Sequence, residues 1–144
     1  MAILGGRSKC KICGKLLGGE PIVGFIHFVS NRKDPLYMFT DSGFHRDCFL
    51  AHPLREAVGR RLEEHRRRRA VHQCVVCGEE IKGDWYTPGF LTDDPTSPLY
   101  EFNYLYIHPS HVSLWPRLAE FSRLVEDFVR SGNYEGPPLL PELP

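Results

Sequence analysis

Two stretches of the chain are rich in β-forming residues and interrupted by turn formers, and each is followed by apolar residues at helical spacing. Residues 23–29 (Val-Gly-Phe-Ile-His-Phe-Val) read as a strand, 30–35 as a turn and 36–40 as the returning strand. Farther on, residues 85–91 read as a second outgoing strand, with Pro88-Gly89 marking a bulge or an edge position. Residues 92–98 supply the turn, and residues 99–107 return with Tyr100, Phe102, Tyr104 and Tyr106 alternating along one face. Leu50, Leu54, Ala57/Val58 and Leu62 then recur with helical period, as do Leu114, Leu118, Phe121, Val125 and Phe128. The pattern predicts helices over 53–67 and 116–130, with Pro53 and Pro116 each separating a short turn from a longer helix. The expected fold class is α+β.

The five cysteines bring chemistry into this frame. Cys10 and Cys13 form one C-x-x-C pair and Cys74 and Cys77 another, each followed by glycine, Gly14 and Gly78. About thirty residues after each pair stands a second one: His45-x-x-Cys48, then His108-x-x-His111. These eight residues use every cysteine in the chain and divide into a Cys3His set and a Cys2His2 set. Two residues between thiolates allow a tight turn to aim both at one ion, and glycine after the second closes that turn. Ligands at i and i+3 on a first helical turn share a face. Four nitrogen and sulfur donors in a closed tetrahedron suit structural zinc, so two structural Zn2+ ions are expected. An odd cysteine count argues against a disulfide framework.

The ligand pairs belong to a longer internal repeat. Leu17 and Gly19 match Ile81 and Gly83. After a one-residue slip, Pro35-Leu36-Tyr37 matches Pro98-Leu99-Tyr100, and Pro53 matches Pro116. The expected organisation is a first zinc module over 8–69, a second over 72–132 and a Pro/Leu-rich tail over 133–144. Knuckle, β-hairpin and a C-terminal helix whose first turn carries the last two ligands resembles the treble-clef zinc finger, in tandem. The resemblance covers residues 8–65 and 72–130. It implies a metal-stabilised fold found among nucleic-acid binders, protein-interaction modules, ubiquitin-system proteins and nucleases. A unit of this size buries little core and is marginal unaided, and a zinc ion can add on the order of 10 kcal/mol of apparent binding energy to its folding.

Charge is balanced overall, 18 basic against 18 acidic residues, but not along the chain. Residues 1–72 hold 14 Lys and Arg against 7 Asp and Glu, whereas residues 73–144 hold 4 against 11. The candidate phosphate-binding residues are Arg60, Arg61, Arg66, Arg67, Arg68 and Arg69 along the first long helix, with Lys9, Lys11 and Lys15 about the first knuckle. Arginines at a helix C-terminus also complement the helix dipole, and Glu63 and Glu64 can pair with them. Both ligand sets are closed, and His27, His52, His65 and His72 show no motif spacing with carboxylates, so no catalytic residue is expected. The sequence therefore points first to a non-enzymatic zinc protein that acts as a protein-interaction or adaptor module. Its opposite-charged halves suit head-to-tail self-association, and residues 136–144 resemble a polyproline docking segment. Nucleic-acid binding is the alternative. No run of apolar residues is long enough to span a membrane, and Met1 to Arg7 is too quickly charged for a secretory signal. An intracellular, reducing and cytoplasmic setting is the matching expectation.

Overall fold

The computed structural model describes residues 7–143. The expectation about the chain start falls mainly outside them. The fold is mixed α+β, and among the described residues it holds one small two-stranded sheet, three α-helices and three short 3-10 segments. No helix there is long and apolar enough to cross a membrane. The chain forms two compact units that part between Glu64 and His65.

In the first unit, strand β1 (Ile22–Gly24) pairs antiparallel with β2 (Gly43–His45), with Val23 opposite Phe44 and Ile22 opposite His45. Strand β2 runs directly into helix α1 (Arg46–Leu50), and after a turn through Pro53 the chain enters helix α2 (Arg55–Arg69). The returning strand expected over 36–40 is displaced. That segment is a 3-10 turn (Tyr37–Phe39), because local bonds compete there with a ladder. The Leu36 N–H donates to Asp34 Oδ1 at 2.8 Å, and the Phe39 N–H donates to the Leu36 carbonyl at 3.0 Å. The turn buries Leu36 and Phe39 together, three residues apart, in a core with Phe28, Val29, Phe44 and Val58. Phe25 and Phe49 meet at 4.9 Å between ring centroids, and Phe39 and Phe44 at 5.2 Å.

The second unit departs further from the expected hairpin. Its only pairing comparable to the β1–β2 ladder, among the described residues, is a single bridge between Tyr86 and Ile107. Pro88 has no N–H to donate and Gly89 sits at φ 67°, so the outgoing segment cannot continue as a strand. Tyr100–Phe102 is a 3-10 turn, and Tyr104 takes φ 55°. The expected alternation therefore fails: Tyr100 is 46% exposed, while Phe102, Tyr104 and Tyr106 are all buried. Helix α3 (Leu118–Arg130) presents Phe121 and Val125 to a core containing Phe102, Ile107, Val112 and Trp115. Leu50 and Leu114, counted in the helical apolar pattern but lying before the helices expected over 53–67 and 116–130, are exposed. They belong to the short segments before Pro53 and Pro116, so the register of α2 and α3 does not extend to them.

Two further segments cluster with the second unit. The last turn of α2 does so through Arg68, whose guanidinium donates to the Asn103 carbonyl at 2.6 Å. The tail expected to be a docking segment is partly core: Leu139 is buried, and Leu140 packs against the same cluster. The Tyr86 hydroxyl donates to the Leu139 carbonyl at 2.7 Å, and the Tyr134 hydroxyl donates to the Pro137 carbonyl at 2.6 Å. Leucine burial and these two bonds outweigh the extended solvated state that the prolines favour.

One polar device recurs in both units. Thr40 Oγ1 accepts the amides of Phe28 and Val29 at 3.0 and 3.2 Å. At the corresponding place Asn103 Oδ1 accepts those of Leu91 and Thr92 at 2.7 and 3.2 Å. Buried amides left without an acceptor cost about 1–3 kcal/mol each. Thr40→Val keeps the shape and removes the acceptor, so it should lower stability by about 2–4 kcal/mol in urea denaturation of metal-loaded protein. Thr40→Ser should restore most of that loss.

Candidate metal centres

Each C-x-x-C pair sits on a turn held by the same three backbone bonds. Cys10 N–H donates to the Lys15 carbonyl at 2.9 Å, Gly14 N–H to Cys10 at 2.8 Å, and Leu17 N–H to Ser8 at 2.8 Å. Their counterparts run from Cys74 to Glu79 at 2.9 Å, Gly78 to Cys74 at 2.8 Å, and Ile81 to His72 at 2.7 Å. Gly14 and Gly78 take φ 75° and 78°, a left-handed conformation that a side chain would strain. The second ligand pairs arrive from different local structures. His45 ends β2 and caps α1, which carries Cys48. His108 caps the 3-10 segment Pro109–Leu114, which carries His111 and has proline at its start, where no N–H is needed.

These elements bring together all eight ligands expected from the sequence. In the set Cys10, Cys13, His45, Cys48, and in the set Cys74, Cys77, His108, His111, the donor atoms all lie within 4.8 Å of one another. Each set can hold a metal ion. In a tetrahedron with metal–sulfur near 2.3 Å and metal–nitrogen near 2.0 Å, neighbouring sulfur and nitrogen donors stand about 3.6 Å apart. The observed separations bracket that value. Cys13 Sγ is 3.3 Å and Cys48 Sγ 3.9 Å from His45 Nδ1. In the second set, Cys74 Sγ is 3.7 Å from His111 Nδ1, and Cys77 Sγ is 3.6 Å from His108 Nδ1. All three imidazoles thus turn Nδ1 toward the sulfurs. His45 Nε2–H donates to the Leu16 carbonyl at 3.1 Å, which leaves Nδ1 unprotonated for a metal.

Electrostatics supports the same donor set. Burial opposes ionisation of Cys10, but the amides of Cys13, His45 and Ile12 outweigh it and bring the thiol down to about 6. Burial likewise opposes Cys74, and the His108 and Cys77 amides with the His111 side chain bring it down to about 5. Cys48 is pushed up to about 11 by burial and by the neighbouring sulfurs of Cys13 and Cys10. Three adjacent sulfurs cannot all ionise without a cation among them. Three thiolates in the first set would therefore need a positive ion among them.

The candidate phosphate-binding residues are not gathered in this way. The Arg61 guanidinium is turned inward onto Asp34 at 2.7 Å, with side chains only 10% and 8% exposed. Arg68 is engaged with Asn103 and lies 5.9 Å from the centre of the Tyr104 ring. Arg69 donates to His65 Nε2 at 3.4 Å. Arg60, Arg66, Arg67, Arg68, Arg69, Lys9, Lys11 and Lys15 are all exposed. One polar cluster has no counterpart in the sequence reading. His27 lies 2.7 Å from Asp41 and 2.9 Å from Ser30, an arrangement that the spacing of these residues does not signal.

No protein-family model matches the chain, and no curated protein or solved structure shows significant similarity to it.

Native mass spectrometry should find two metal equivalents per chain, reduced to one by Cys13→Ser or by Cys77→Ser. Release should also depend on pH. Cys10 and Cys74, lowered from about 9 to about 6 and about 5, are ionised at neutral pH and regain protons as the pH falls through those values. Cys48, raised to about 11, gives up its proton only in exchange for a metal. A chromogenic chelator should therefore report metal retained at pH 7.5 and released below about pH 5.

Proposed function

We propose that both clusters are structural zinc sites in tandem treble-clef-like modules, and that the protein is an interaction or adaptor module with no chemistry at the metals. Closed four-donor sets support the first part, because a catalytic zinc keeps a position open for water or substrate. The observation that carries the second part is the apolar surface beside each knuckle. Arg61 is turned inward onto Asp34, whereas Arg68 and Arg69 contact Asn103 and His65 and stay exposed. Apolar side chains meanwhile lie at the surface beside each knuckle. Leu16 and Ile22 are 57% and 41% exposed near His45, and Val75 and Trp85 are 51% and 38% exposed near Tyr106. Exposed apolar and aromatic groups of this kind suit a protein partner.

Nucleic-acid binding is the second reading, favoured by the exposed Arg7, Lys9, Lys11 and Lys15 about the first knuckle. Fluorescence anisotropy of zinc-loaded protein with labelled RNA and DNA separates the two. Interaction through apolar surface predicts that nucleic-acid binding vanishes by about 0.15 M salt. A photo-crosslinking residue at position 16 or 85 should then capture a discrete protein, whereas one at position 50 should not. Binding that survives this salt and falls on replacing Lys9, Lys11 and Lys15 by alanine would sink the adaptor reading. Arg61→Ala should lower stability by about 3–5 kcal/mol, since it leaves Asp34 charged and buried.

A further inference from the structure

We propose that Ser30, His27 and Asp41 form a nucleophilic relay able to take an acyl group from a small ester. His27 Nδ1–H donates to Asp41 Oδ2 at 2.7 Å, which leaves Nε2 as the acceptor for the Ser30 hydroxyl, 2.9 Å away. One ring nitrogen is thereby anchored by a carboxylate and the other presented to a hydroxyl, as a serine nucleophile with its general base requires. None of the three residues belongs to either metal set.

The relay rests on a fixed frame. Between His27 and Ser30 lie Phe28 and Val29, 3% and 2% exposed, with both amides held by Thr40 Oγ1. Asp41 follows Thr40 directly, takes φ 47°, and donates its own amide to the Ile26 carbonyl at 3.3 Å. The Ser42 hydroxyl donates to the Thr40 carbonyl at 2.7 Å, and the Phe25 amide donates to the Ser42 carbonyl at 2.9 Å. Two short segments are thus locked together with the relay residues at their margins. This is the rigidity that a preorganised site needs.

The second unit shows that the frame itself does not call for this chemistry. There Asn103 holds the amides of Leu91 and Thr92, and Tyr104 at φ 55° donates to the Gly89 carbonyl at 2.8 Å. The places of His27 and Asp41 are taken by Phe90 and Tyr104, whose rings meet at 6.1 Å, and that of Ser30 by Asp93. The same backbone device thus carries two rings in one unit and an acid, a base and a hydroxyl in the other. His27 and Asp41 side chains are 55% and 49% exposed, so a solute can reach them. An open position of this kind suits a small ester better than one needing enclosure.

In the reaction, Ser30 Oγ bonds to the ester carbonyl carbon while its proton passes to His27 Nε2. The carbonyl electron pair moves to oxygen. Its return breaks the bond to the leaving oxygen, which takes the proton from Nε2 and departs as alcohol. Water then attacks the acyl-serine, losing a proton to Nε2, and Ser30 recovers that proton as the acid leaves. The balance is ester plus water to acid plus alcohol. Asp41 is a positioning residue that holds the imidazole in the required tautomer.

The test uses zinc-loaded full chain with a fluorophosphonate probe and with p-nitrophenyl acetate. The probe should form one adduct on Ser30, located by peptide mass spectrometry, with fluoride displaced. Ser30→Ala should abolish both the adduct and the ester hydrolysis above background. His27→Gln should slow both by at least about 100-fold. Asp41→Asn should lower kcat with little change in KM, and Asp41→Glu should recover part of it. Two metal equivalents in every variant would show that the fold is kept. Adducts spread over other residues, hydrolysis unchanged in Ser30→Ala, or Ser30 labelling unchanged in His27→Gln would each overturn the relay.

Discussion

Three sulfurs brought within a few ångströms of one another repel as thiolates and lose hydrogen-bonding water as thiols. A cation resolves both problems at once. In the first unit that demand falls on Cys10, Cys13 and Cys48, and it is visible in their opposed acidities: Cys10 lowered to about 6, Cys48 raised to about 11. The rest of the unit is arranged around meeting this demand. The knuckle glycine closes the turn, β2 delivers His45, and α1 delivers Cys48 one turn later. A two-stranded sheet of three residues per strand would hold little by itself. An ion fastening both ends of the hairpin region would let so short a ladder persist.

Away from the ligands, the units share backbone bonds more closely than side chains. The three knuckle bonds, the 3-10 turn after the loop, the left-handed residue at 41 or 104, and the paired amides on Thr40 or Asn103 appear in both. Threonine and asparagine differ in length and chemistry, yet each puts one oxygen where two amides converge. Buried amides must find an acceptor, and any residue that supplies one satisfies the frame. Side chains that point off the frame are under no such demand. That is why positions 27 and 41 hold an imidazole and a carboxylate while positions 90 and 104 hold two rings.

What the sequence makes legible follows from how local each constraint is. Ligand spacing is a local property: two residues between donors and a glycine beside them largely determine the turn, so all eight donors could be read directly. The α+β class and the proline breaks before α2 and α3 are local in the same sense. Strand pairing is not. The β-rich composition of 36–40 and 99–107 reflects burial in a core of rings, and Leu36 and Phe39 reach it from a 3-10 turn as well as a strand would permit. Leu139 reads as part of a proline-rich tail until Tyr86 is seen to bond its carbonyl. The contact between His27 and Asp41 spans a whole loop, and the clamp at Thr40 with the backbone bonds beside it brings the two together.

The basic run shows the same distinction acting on charge. Counted along the chain, residues 60–69 look like a continuous cationic surface. Folded, Arg61 compensates a buried carboxylate, and Arg68 caps a carbonyl exposed by the turn at Asn103 while lying near the Tyr104 ring. Arg61 cannot turn to a phosphate without leaving the buried Asp34 carboxylate unmet, whereas Arg68 keeps an exposed side chain. The lysines of the first knuckle lie under no comparable hold. Exposed cations therefore stand both at the first knuckle, on Lys9, Lys11 and Lys15, and along the helix, on Arg60, Arg66 and Arg67, while Arg61 is withdrawn from that surface.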